Sequence, residues 1–331
     1  AVTTGERVLR DDGSLPGGVL IRVAASHIRI GTFEFFAARG DLDGVRALAD
    51  YTIARHYPQL RDEPDRYLAL LEAVAERQSS LVARWMQVGF IHGVMNTDNM
   101  TVSGETIDFG PCAFMDEYDP ATVYSFIDRR GRYAYGNQPN ILQWNLARLA
   151  ETLLPLIDAD EGQAIDRATA SLQGVSERFD RHWLAGFQRK LGLSVHEDGD
   201  RALVTDLLAV MHAEAADFTN TYRALADVAA DTTTLPESFL AWTQRWRARL
   251  AREPGGVASC IATLQRTNPA YVPRNHRIEE CIDAAVQDGN FGPFHALHDV
   301  LARPFQSQPD RTAYRTPPLP HERVQNTFCG T

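Results

Sequence analysis

Amphipathic helical patterns cover most of this chain, and only one short stretch departs from them. The spacing of apolar residues predicts one helix from Leu42 to Pro58 and a second from Pro64 to Gly89. No alternation of strands and helices of the kind that builds a doubly wound sheet accompanies them. We therefore expect a mainly α fold with a small β-hairpin. Further helices are predicted near 140–156, 160–190, 200–229, 235–252 and 275–287.

The two ends of the chain are predicted to be less regular. Residues 1–20 contain "DDG" and "LPGG" without a helical period, which indicates extended and turn structure. Residues 21–39 are expected to be partly helical, with Thr32 as a helix cap and Gly40 at the helix exit. The segment from Pro304 onward is rich in proline and polar residues, and we expect it to be irregular.

The exceptional stretch begins after Gly89. Two β-prone runs, "MTV" and "TID", stand on either side of "SGE", a pattern that is typical of a hairpin. Asn99 precedes this hairpin and Asp108 ends it, so the hairpin would bring the two side chains close together.

Asn99 and Asp108 offer an amide oxygen and a carboxylate, which are ligands that Mg²⁺ accepts. The order "HG", Asn99 and "DFG" has the spacing of the catalytic and metal-binding loops of protein kinases, but Val94 takes the place of the kinase catalytic aspartate. Asp98 is then the carboxylate within reach of a reacting hydroxyl, and it is the candidate base. The alternative is that "NTDN" is a polar turn and "DFG" a chance match.

Arg22 and Arg29 are seven residues apart and share a face if residues 21–30 form a helix. Two guanidinium groups on one face would suit a polyphosphate, because each can hold two phosphate oxygens. The alternative is a pair of solvated or salt-bridged arginines.

His92 is expected to brace the loop backbone. The segment "NPAYVPRNHRIEE" is interpreted as packing, with Arg274, Asn275 and His276 as further functional candidates.

The composition argues against several function classes. The chain has 331 residues and a net charge of −10, which disfavours general binding to nucleic acids or anionic membranes. No apolar run approaches the length of a membrane span. The four scattered cysteines do not indicate a zinc cluster, and they favour a reducing, cytoplasmic compartment. Lys190 is the only lysine, so no lysine precedes His92 to bind nucleotide phosphates as in kinases.

Several long strings match one known family in order along nearly the whole chain. The chain resembles the selenoprotein O family, whose bacterial members are called YdiU. The matching strings are "TTGE", "RVAASHIRIGTFEFFAA", "HGVMNTDNM", "TIDFGPCAFMDEYDP", "NPAYVPRNHRIEE" and the terminal "FCGT".

The resemblance implies a protein-kinase-like fold and an unusual chemistry. Members of the family transfer AMP from ATP to Ser, Thr or Tyr hydroxyls of proteins and release pyrophosphate. Carried onto this sequence, the resemblance implies Asp98 as the base, Asn99 and Asp108 as ligands of Mg²⁺ or Mn²⁺, and Arg22 and Arg29 as phosphate-binding residues. Asp108 is thereby also part of the ATP site. Val94 would replace the kinase aspartate because the hydroxyl attacks a different phosphorus atom.

The resemblance also suggests how the chain is divided. Residues 1–20 are expected to be a linker or the remnant of an N-terminal lobe that carries a glycine-rich loop and a phosphate-binding lysine in the family. Residues 21–303 would form the helical C-terminal lobe, with the catalytic and metal loops at 92–119, and 304–331 an irregular tail. Full activity would then require the N-terminal lobe.

Cys329 matches a cysteine or selenocysteine that the family often carries third from the end. In some relatives a redox bridge from this position to the activation segment is implied. Tyr124 matches the partner position and cannot form the bridge. Cys112, just after "DFGP", is a candidate substitute. The alternative is two reduced thiols.

Two other functions stay open at this point. The spacing of "HG", Asn99 and "DFG" also permits an ordinary kinase or a small-molecule phosphotransferase, although Val94 argues against it. The third hypothesis is a non-catalytic, pseudokinase-type module whose helical surface binds a partner.

Overall fold

Helices dominate the computed structural model, which describes residues 2–10 and 13–328. The described residues also form two antiparallel two-stranded sheets, β1 with β2 and β3 with β4. The strands are β1 (Val2–Arg10), β2 (Gly13–Val19), β3 (Phe90–Ile91) and β4 (Ala113–Phe114). The helices are α1 (Ile30–Ala37), α2 (Leu42–His56), α3 (Arg66–Gln87), α4 (Gln138–Ile157), α5 (Glu161–Gln173), α6 (Val175–Lys190), α7 (Asp200–Ala213), α8 (Phe218–Ala229), α9 (Leu240–Leu250), α10 (Gly256–Thr267), α11 (Asn275–Asp288) and α12 (Gly292–Leu301).

The mainly α prediction is confirmed, with corrections to individual helices. Helices α2, α3, α4 and α11 occupy the predicted positions. The helix predicted over 160–190 is two helices that meet at Gly174, and the one predicted over 200–229 is interrupted at 214–217, where Ala215 has a φ of 47°. The prediction over 235–252 becomes a 3₁₀ turn followed by α9. Helices α10 and α12 are not predicted from the sequence.

The helix considered over 21–30 is wrong. Residues 20–28 have no regular secondary structure, and α1 begins only at Ile30 with Arg29 as its N-cap. The backbone of this segment pairs with the chain at 100–102: Ile30 N donates to Met100 O at 3.0 Å, and Val102 N donates to Ile28 O at 3.0 Å. These groups are therefore not free to form helical hydrogen bonds. Thr32 is the third residue of the helix, and its hydroxyl accepts from Arg29 N at 3.3 Å.

Strands β1 and β2 pair in an antiparallel register, which agrees with the extended structure expected there. Several of their apolar side chains are exposed, among them Leu9, Leu15 and Val19. The tail is irregular apart from a 3₁₀ segment at Pro309–Tyr314, and its end pairs with the chain at Ser125 through Thr327.

Two large buried apolar clusters form most of the core of the described residues, and α3 contributes to both; Ala270, Tyr271 and Val300 form a small third cluster. One cluster joins α1, α2, α3, α4 and α5, and the other joins α3, α6, α7, α8, α9 and α10. Along α3, Val82 packs in the first cluster and Ala83 in the second. The site loops between β3 and β4 start where α3 ends, so both clusters support them. Among the described residues, no helix is both long enough and apolar enough to span a membrane.

Candidate active site

The loop at 92–99 is held from both sides by buried polar contacts. His92 N donates to Gln138 Oε1 at 3.1 Å, and Gln138 Nε2 donates to Phe90 O at 3.1 Å. Asn145 Nδ2, also on α4, donates to Met95 O at 2.8 Å. Because these donors and acceptors are buried, leaving one of them unpaired would cost about 1–3 kcal/mol. The loop is therefore firmly positioned by α4.

Two glycines allow the backbone to approach this loop closely. A Cβ on Gly31, at the start of α1, would lie 3.2 Å from Asp98 N. A Cβ on Gly93 would lie 2.8 Å from Pro111 O, and Gly93 also has a φ of 81°. Since only glycine adopts such a φ without strain, Gly93 is required where the 92–99 loop meets the segment after Gly110.

The hairpin predicted after Asn99 is present as a short turn with one antiparallel bridge, between Met100 and Thr106. Trp85 Nε1 on α3 donates to Thr106 Oγ1 at 2.8 Å, and Tyr57 OH at the end of α2 donates to Val102 O at 2.5 Å. Helices thus hold both arms of the turn, and they fix how Asn99 faces Asp108.

Asp98, Asn99 and Asp108 line one cavity of about 360 Å³. Asp98 is exposed, while Asn99 and Asp108 are partly buried. The sequence places these three residues near each other, and the structure brings them to the same cavity. Its other lining residues are Val94, Asn96, Pro111, Ser125, Phe126, Ile127, Thr327 and Phe328.

Asn99 and Asp108 have suitable donor atoms for a divalent cation. Asn99 Nδ2 donates to Val94 O at 3.0 Å, which leaves its Oδ1 free to act as a ligand. Among the residues that the structure describes, the Asp108 carboxylate has no hydrogen bond and no ion pair. An amide oxygen next to an unpaired, partly buried carboxylate fits Mg²⁺ or Mn²⁺, which take one or two protein ligands when phosphates and water supply the rest. No group of three or more His, Cys, Asp or Glu side chains in the described ranges could hold a metal by itself.

Burial and the Asp108 carboxylate perturb two neighbouring groups. Burial lowers the pKa of His92 to about 4, against the opposing effect of Asp108. Burial, assisted by Asp108, raises the pKa of the Cys112 thiol to about 11. His92 is thus a neutral, buried side chain whose Nδ1 accepts from Val94 N at 3.4 Å, which agrees with the bracing role expected for it.

The structure separates the two arginines that the sequence groups together. Arg22 lines a second cavity of about 450 Å³ with Asp108, Phe109 and Gly110. Its segment is held by Ala25 N, which donates to Glu105 Oε2 at 3.0 Å. Arg29 is exposed at the start of α1 and lines neither cavity. Asp108 therefore stands between two cavities, and Arg22 belongs to one of them.

The tail forms a wall of the first cavity, which the sequence does not predict. Thr327 N donates to Tyr124 O at 2.7 Å, and Thr327 Oγ1 donates to Pro111 O at 2.5 Å. The Phe328 ring packs edge-on against Phe126 at 5.8 Å. No sequence motif in the tail indicates that it lines the cavity, because the contact is made by a single hydroxyl and one aromatic ring. The expected bridge at Cys329 falls outside the described residues, and Cys112 Sγ donates to Phe109 O at 3.4 Å.

The segment "NPAYVPRNHRIEE" clamps the chain that follows Asp108. Arg274 Nη1 donates to Asp116 Oδ1 at 2.7 Å and to Asp217 Oδ2 at 2.6 Å. Asn275 pairs with the backbone of Phe114 in both directions, at 3.3 Å to its N and 2.9 Å to its O. The segment therefore has the packing role that the sequence predicts, and its packing positions the loop on which Asp108 lies.

Comparison with known proteins identifies the family. Residues 1–302 match the family model described as "Protein adenylyltransferase SelO". The chain belongs to this family. The resemblance drawn from the long sequence strings is thereby confirmed.

Curated relatives in the SelO family cover the whole chain. "Protein nucleotidyltransferase YdiU" of Rhizobium etli (strain CIAT 652) is 60% identical over 340 residues, which covers 100% of this chain and 68% of that protein. Proteins of the same name from Rhodopseudomonas palustris (strain BisB5) and Agrobacterium fabrum (strain C58 / ATCC 33970) are 56% and 55% identical, and in each case the match covers 100% of this chain and 69% of the relative. The five predicted site residues lie inside the range that matches the SelO family, whereas Thr327 and Phe328 lie beyond it.

Proposed function

We propose that this chain is a protein adenylyltransferase, which moves AMP from ATP to Ser, Thr or Tyr hydroxyls of proteins and releases pyrophosphate. One observation carries the proposal: in a member of the SelO family, Asp98, Asn99 and Asp108 line a single cavity. The arrangement combines a base, two cation ligands and room for a substrate. We further propose a protein-kinase-like fold and a cytoplasmic location.

Asp98 is the group that accepts the proton of the attacking hydroxyl. It is exposed at the cavity and has no hydrogen-bond or ion-pair partner within the described ranges, so its carboxylate is free to meet a substrate. Val94, at the position of the kinase aspartate, also lines the cavity but cannot accept a proton. As the hydroxyl attacks the α-phosphorus, the P–O bond to the pyrophosphate breaks and pyrophosphate leaves with the bond electrons.

Asn99 Oδ1 and the Asp108 carboxylate would hold Mg²⁺ or Mn²⁺. When bound, such an ion neutralises phosphate charge that would otherwise repel the nucleophile. The two residues fix where the triphosphate lies, and the buried contacts around the 92–99 loop keep Asp98 aligned with it. Positioning and charge neutralisation supply most of the catalysis in phosphoryl-group chemistry.

Arg22 lies beside Asp108 and would bind phosphate oxygens from the second cavity. Arg29 is proposed as a phosphate ligand only on the family resemblance, because it lines neither cavity. The arrangement predicts that Arg22 contributes more than Arg29 to nucleotide binding.

Transfer from labelled ATP tests the proposal. The chain is incubated with ATP labelled at the α- or the γ-phosphate, with Mg²⁺ and Mn²⁺ in parallel, and the label is followed into the chain and into proteins of a bacterial lysate. Label from the α- but not the γ-phosphate is the expected result, and it should disappear in Asp108→Ala. Label from the γ-phosphate would replace the proposal with a kinase. No label from either would mean that this chain alone does not transfer AMP, as expected if full activity requires the N-terminal lobe or if the chain is a non-catalytic binding module.

A further inference from the structure

The loop from Phe126 to Arg132 borders the candidate active site and is termed here the rim loop. Phe126 and Ile127 line the cavity that contains Asp98, yet they are 53% and 67% exposed. Phe126 N donates to Thr327 O at 3.0 Å, which anchors the loop to the tail. Two exposed apolar side chains that line the cavity give an incoming molecule an apolar surface to bury.

The rim loop is also positively charged, in a chain whose net charge is −10. Arg129, Arg130 and Arg132 are exposed, and none of them forms an ion pair with the described residues. The only acid of the loop, Asp128, uses its carboxylate to accept from the backbone N of Arg130, Arg132 and Tyr133 at 3.3, 2.9 and 2.7 Å. It orders the loop and does not pair with the guanidinium groups.

Some other exposed arginines of this chain are neutralised by ion pairs. Arg245, Arg201 and Arg181 each lie within 3 Å of a carboxylate oxygen. In the rim loop, Arg132 instead stacks over Trp144, with its Cζ 4.6 Å from the ring centroid. The loop therefore presents unneutralised positive charge next to apolar side chains.

We propose that the rim loop is the docking surface for the protein acceptor. It would bind a segment with apolar side chains next to the acceptor hydroxyl and acidic side chains farther along. Phe126 and Ile127 would pack against the apolar residues, while Arg129 and Arg130 would pair with carboxylates. This inference rests on the proposed function, because it names the kind of protein that the same site takes.

The placement of Arg22 supports an acceptor on this side of the site. Asp108 contributes to both cavities, with Arg22 on one side and the rim loop on the other. A triphosphate that reaches Arg22 from Asp108 extends away from the rim loop. The first cavity, which holds Asp98, is then left for the hydroxyl and the residues around it.

Binding of fluorescent peptides tests docking separately from catalysis. The acidic peptide has one threonine between two leucines, followed by a run of glutamates. A second peptide carries lysines in place of the glutamates, and a third carries alanines in place of the leucines. Fluorescence anisotropy with the 331-residue chain should show the acidic peptide binding about tenfold more tightly than the lysine peptide at low salt, with the difference shrinking as salt rises.

Variants locate the binding surface. The double variant Arg129→Glu/Arg130→Glu should weaken the acidic peptide about tenfold and strengthen the lysine peptide. Phe126→Ala should weaken the leucine peptides and leave the alanine peptide unchanged. The control is Arg46→Glu/Arg189→Glu, which changes the net charge equally at two exposed arginines on α2 and α6 and should leave all affinities unchanged.

Three outcomes would overturn the inference. They are equal affinity for the acidic and lysine peptides, equal loss in the control variant, and loss of ATP affinity in Arg129→Glu/Arg130→Glu without a change in peptide affinity. The last would place the loop in the nucleotide site. Selective peptide binding without α-phosphate transfer would support the docking surface and contradict the proposed function, so the two proposals fail separately.

Discussion

At the scale of single residues, the two carboxylates of the candidate site differ in their surroundings. Asp98 is exposed on a loop, whereas Asp108 is partly buried. It is close enough to His92 to oppose the lowering of the His92 pKa by burial, and close enough to Cys112 to add to the raising of the thiol pKa by burial. A free, solvated carboxylate suits proton transfer. A partly buried carboxylate without a protein partner suits a cation, so the two should respond differently to the same substitution.

Asp98→Asn should lower kcat for AMP transfer by about 10²- to 10⁴-fold, the usual contribution of a general base. It should leave metal-dependent ATP binding unchanged, because Asn99 and Asp108 remain. Asp108→Asn should instead abolish metal-dependent ATP binding, measured by titration with a fluorescent ATP analogue. Asp62→Asn, at an exposed position outside the site, is the matched control. Normal kcat in Asp98→Asn would assign the base to another group.

Cys112 should be a poorly reactive thiol in the folded protein. A pKa of about 11 leaves roughly two orders of magnitude less thiolate at pH 8 than an ordinary cysteine with a pKa near 8.5 has, and the thiolate is the reactive form. Alkylation by iodoacetamide, followed by peptide mass spectrometry, should be slower by about that factor in the native protein than in urea. Equal rates would show that Cys112 is as reactive as an ordinary cysteine, and a faster rate in the native protein would show an activated thiol.

At the scale of elements, the start of α11 fixes the segment that follows Asp108. Arg274 is 1% exposed and sits between two carboxylates, Asp116 and Asp217, from different parts of the chain. Its Nη2 also donates to Arg315 O at 3.0 Å, so one guanidinium joins α11, the N-terminus of α8, the loop after β4 and the tail. Removing it leaves two carboxylates without their cation.

Arg274→Ala should lower the free energy of unfolding by about 3–5 kcal/mol, as expected when one partner of a buried ion pair is removed. Arg274→Lys should recover only part of the loss, because an ammonium cannot donate in a fork to both carboxylates. Urea denaturation measures both. Arg245→Ala, which removes a surface pair with Asp206, should cost about 1 kcal/mol or less. A similar small cost for Arg274→Ala would show that the clamp adds little stability.

The elements also show what a sequence can and cannot reveal. Helices with a regular apolar stripe, such as α2 and α3, are predictable because burial of one face decides their structure. The irregular 20–28 segment is not, since the backbone where it meets α1, at Ile28 and Ile30, pairs with residues about 70 positions away, at 100–102. Helix α10 begins at Gly256, directly after its N-cap Gly255. Two consecutive glycines are typical of a loop, so the helix is missed although Cys260 and Leu264 have helical spacing.

The candidate site divides in the same way. Asp98, Asn99 and Asp108 are found from local spacing, because one short turn brings them together. The other walls of the cavity depend on contacts between segments that are about 200 residues apart in the chain. These walls are formed by the rim residues Phe126 and Ile127 and by the tail residues Thr327 and Phe328. Only the fold can place them.

At the scale of the whole molecule, the only lysine in the sequence is buried against the second large apolar cluster, the one that contains Phe218 and Tyr222. Lys190 Nζ donates to Asn268 Oδ1 at 2.9 Å, and Asn268 Nδ2 donates back to Lys190 O at 2.9 Å. Nζ also lies 4.0 Å from the centroid of the Tyr222 ring and 5.5 Å from that of Phe218. No carboxylate in the described ranges pairs with it, and burial lowers its pKa to about 7.

This buried lysine makes global stability depend on pH. In the unfolded chain its pKa is about 10.4, so below pH 7 both states are charged and the folded state bears the full cost of burying the ammonium. Above pH 7 the folded state releases the proton while the unfolded state keeps it. Burial of Lys190 therefore becomes less costly as pH rises, by about 1.4 kcal/mol per pH unit.

Lys190→Met isolates this contribution, because methionine fills similar volume without a charge. Between pH 7 and 9, wild type should gain about 2 kcal/mol in free energy of unfolding relative to Lys190→Met, measured by urea denaturation at each pH. Below pH 7 the difference should be constant. Parallel pH profiles for the two proteins would mean that the aromatic rings and Asn268 stabilise the ammonium enough to keep it charged. ¹⁵N-lysine labelling gives one NMR signal, whose titration midpoint near 7 would confirm the release of the proton.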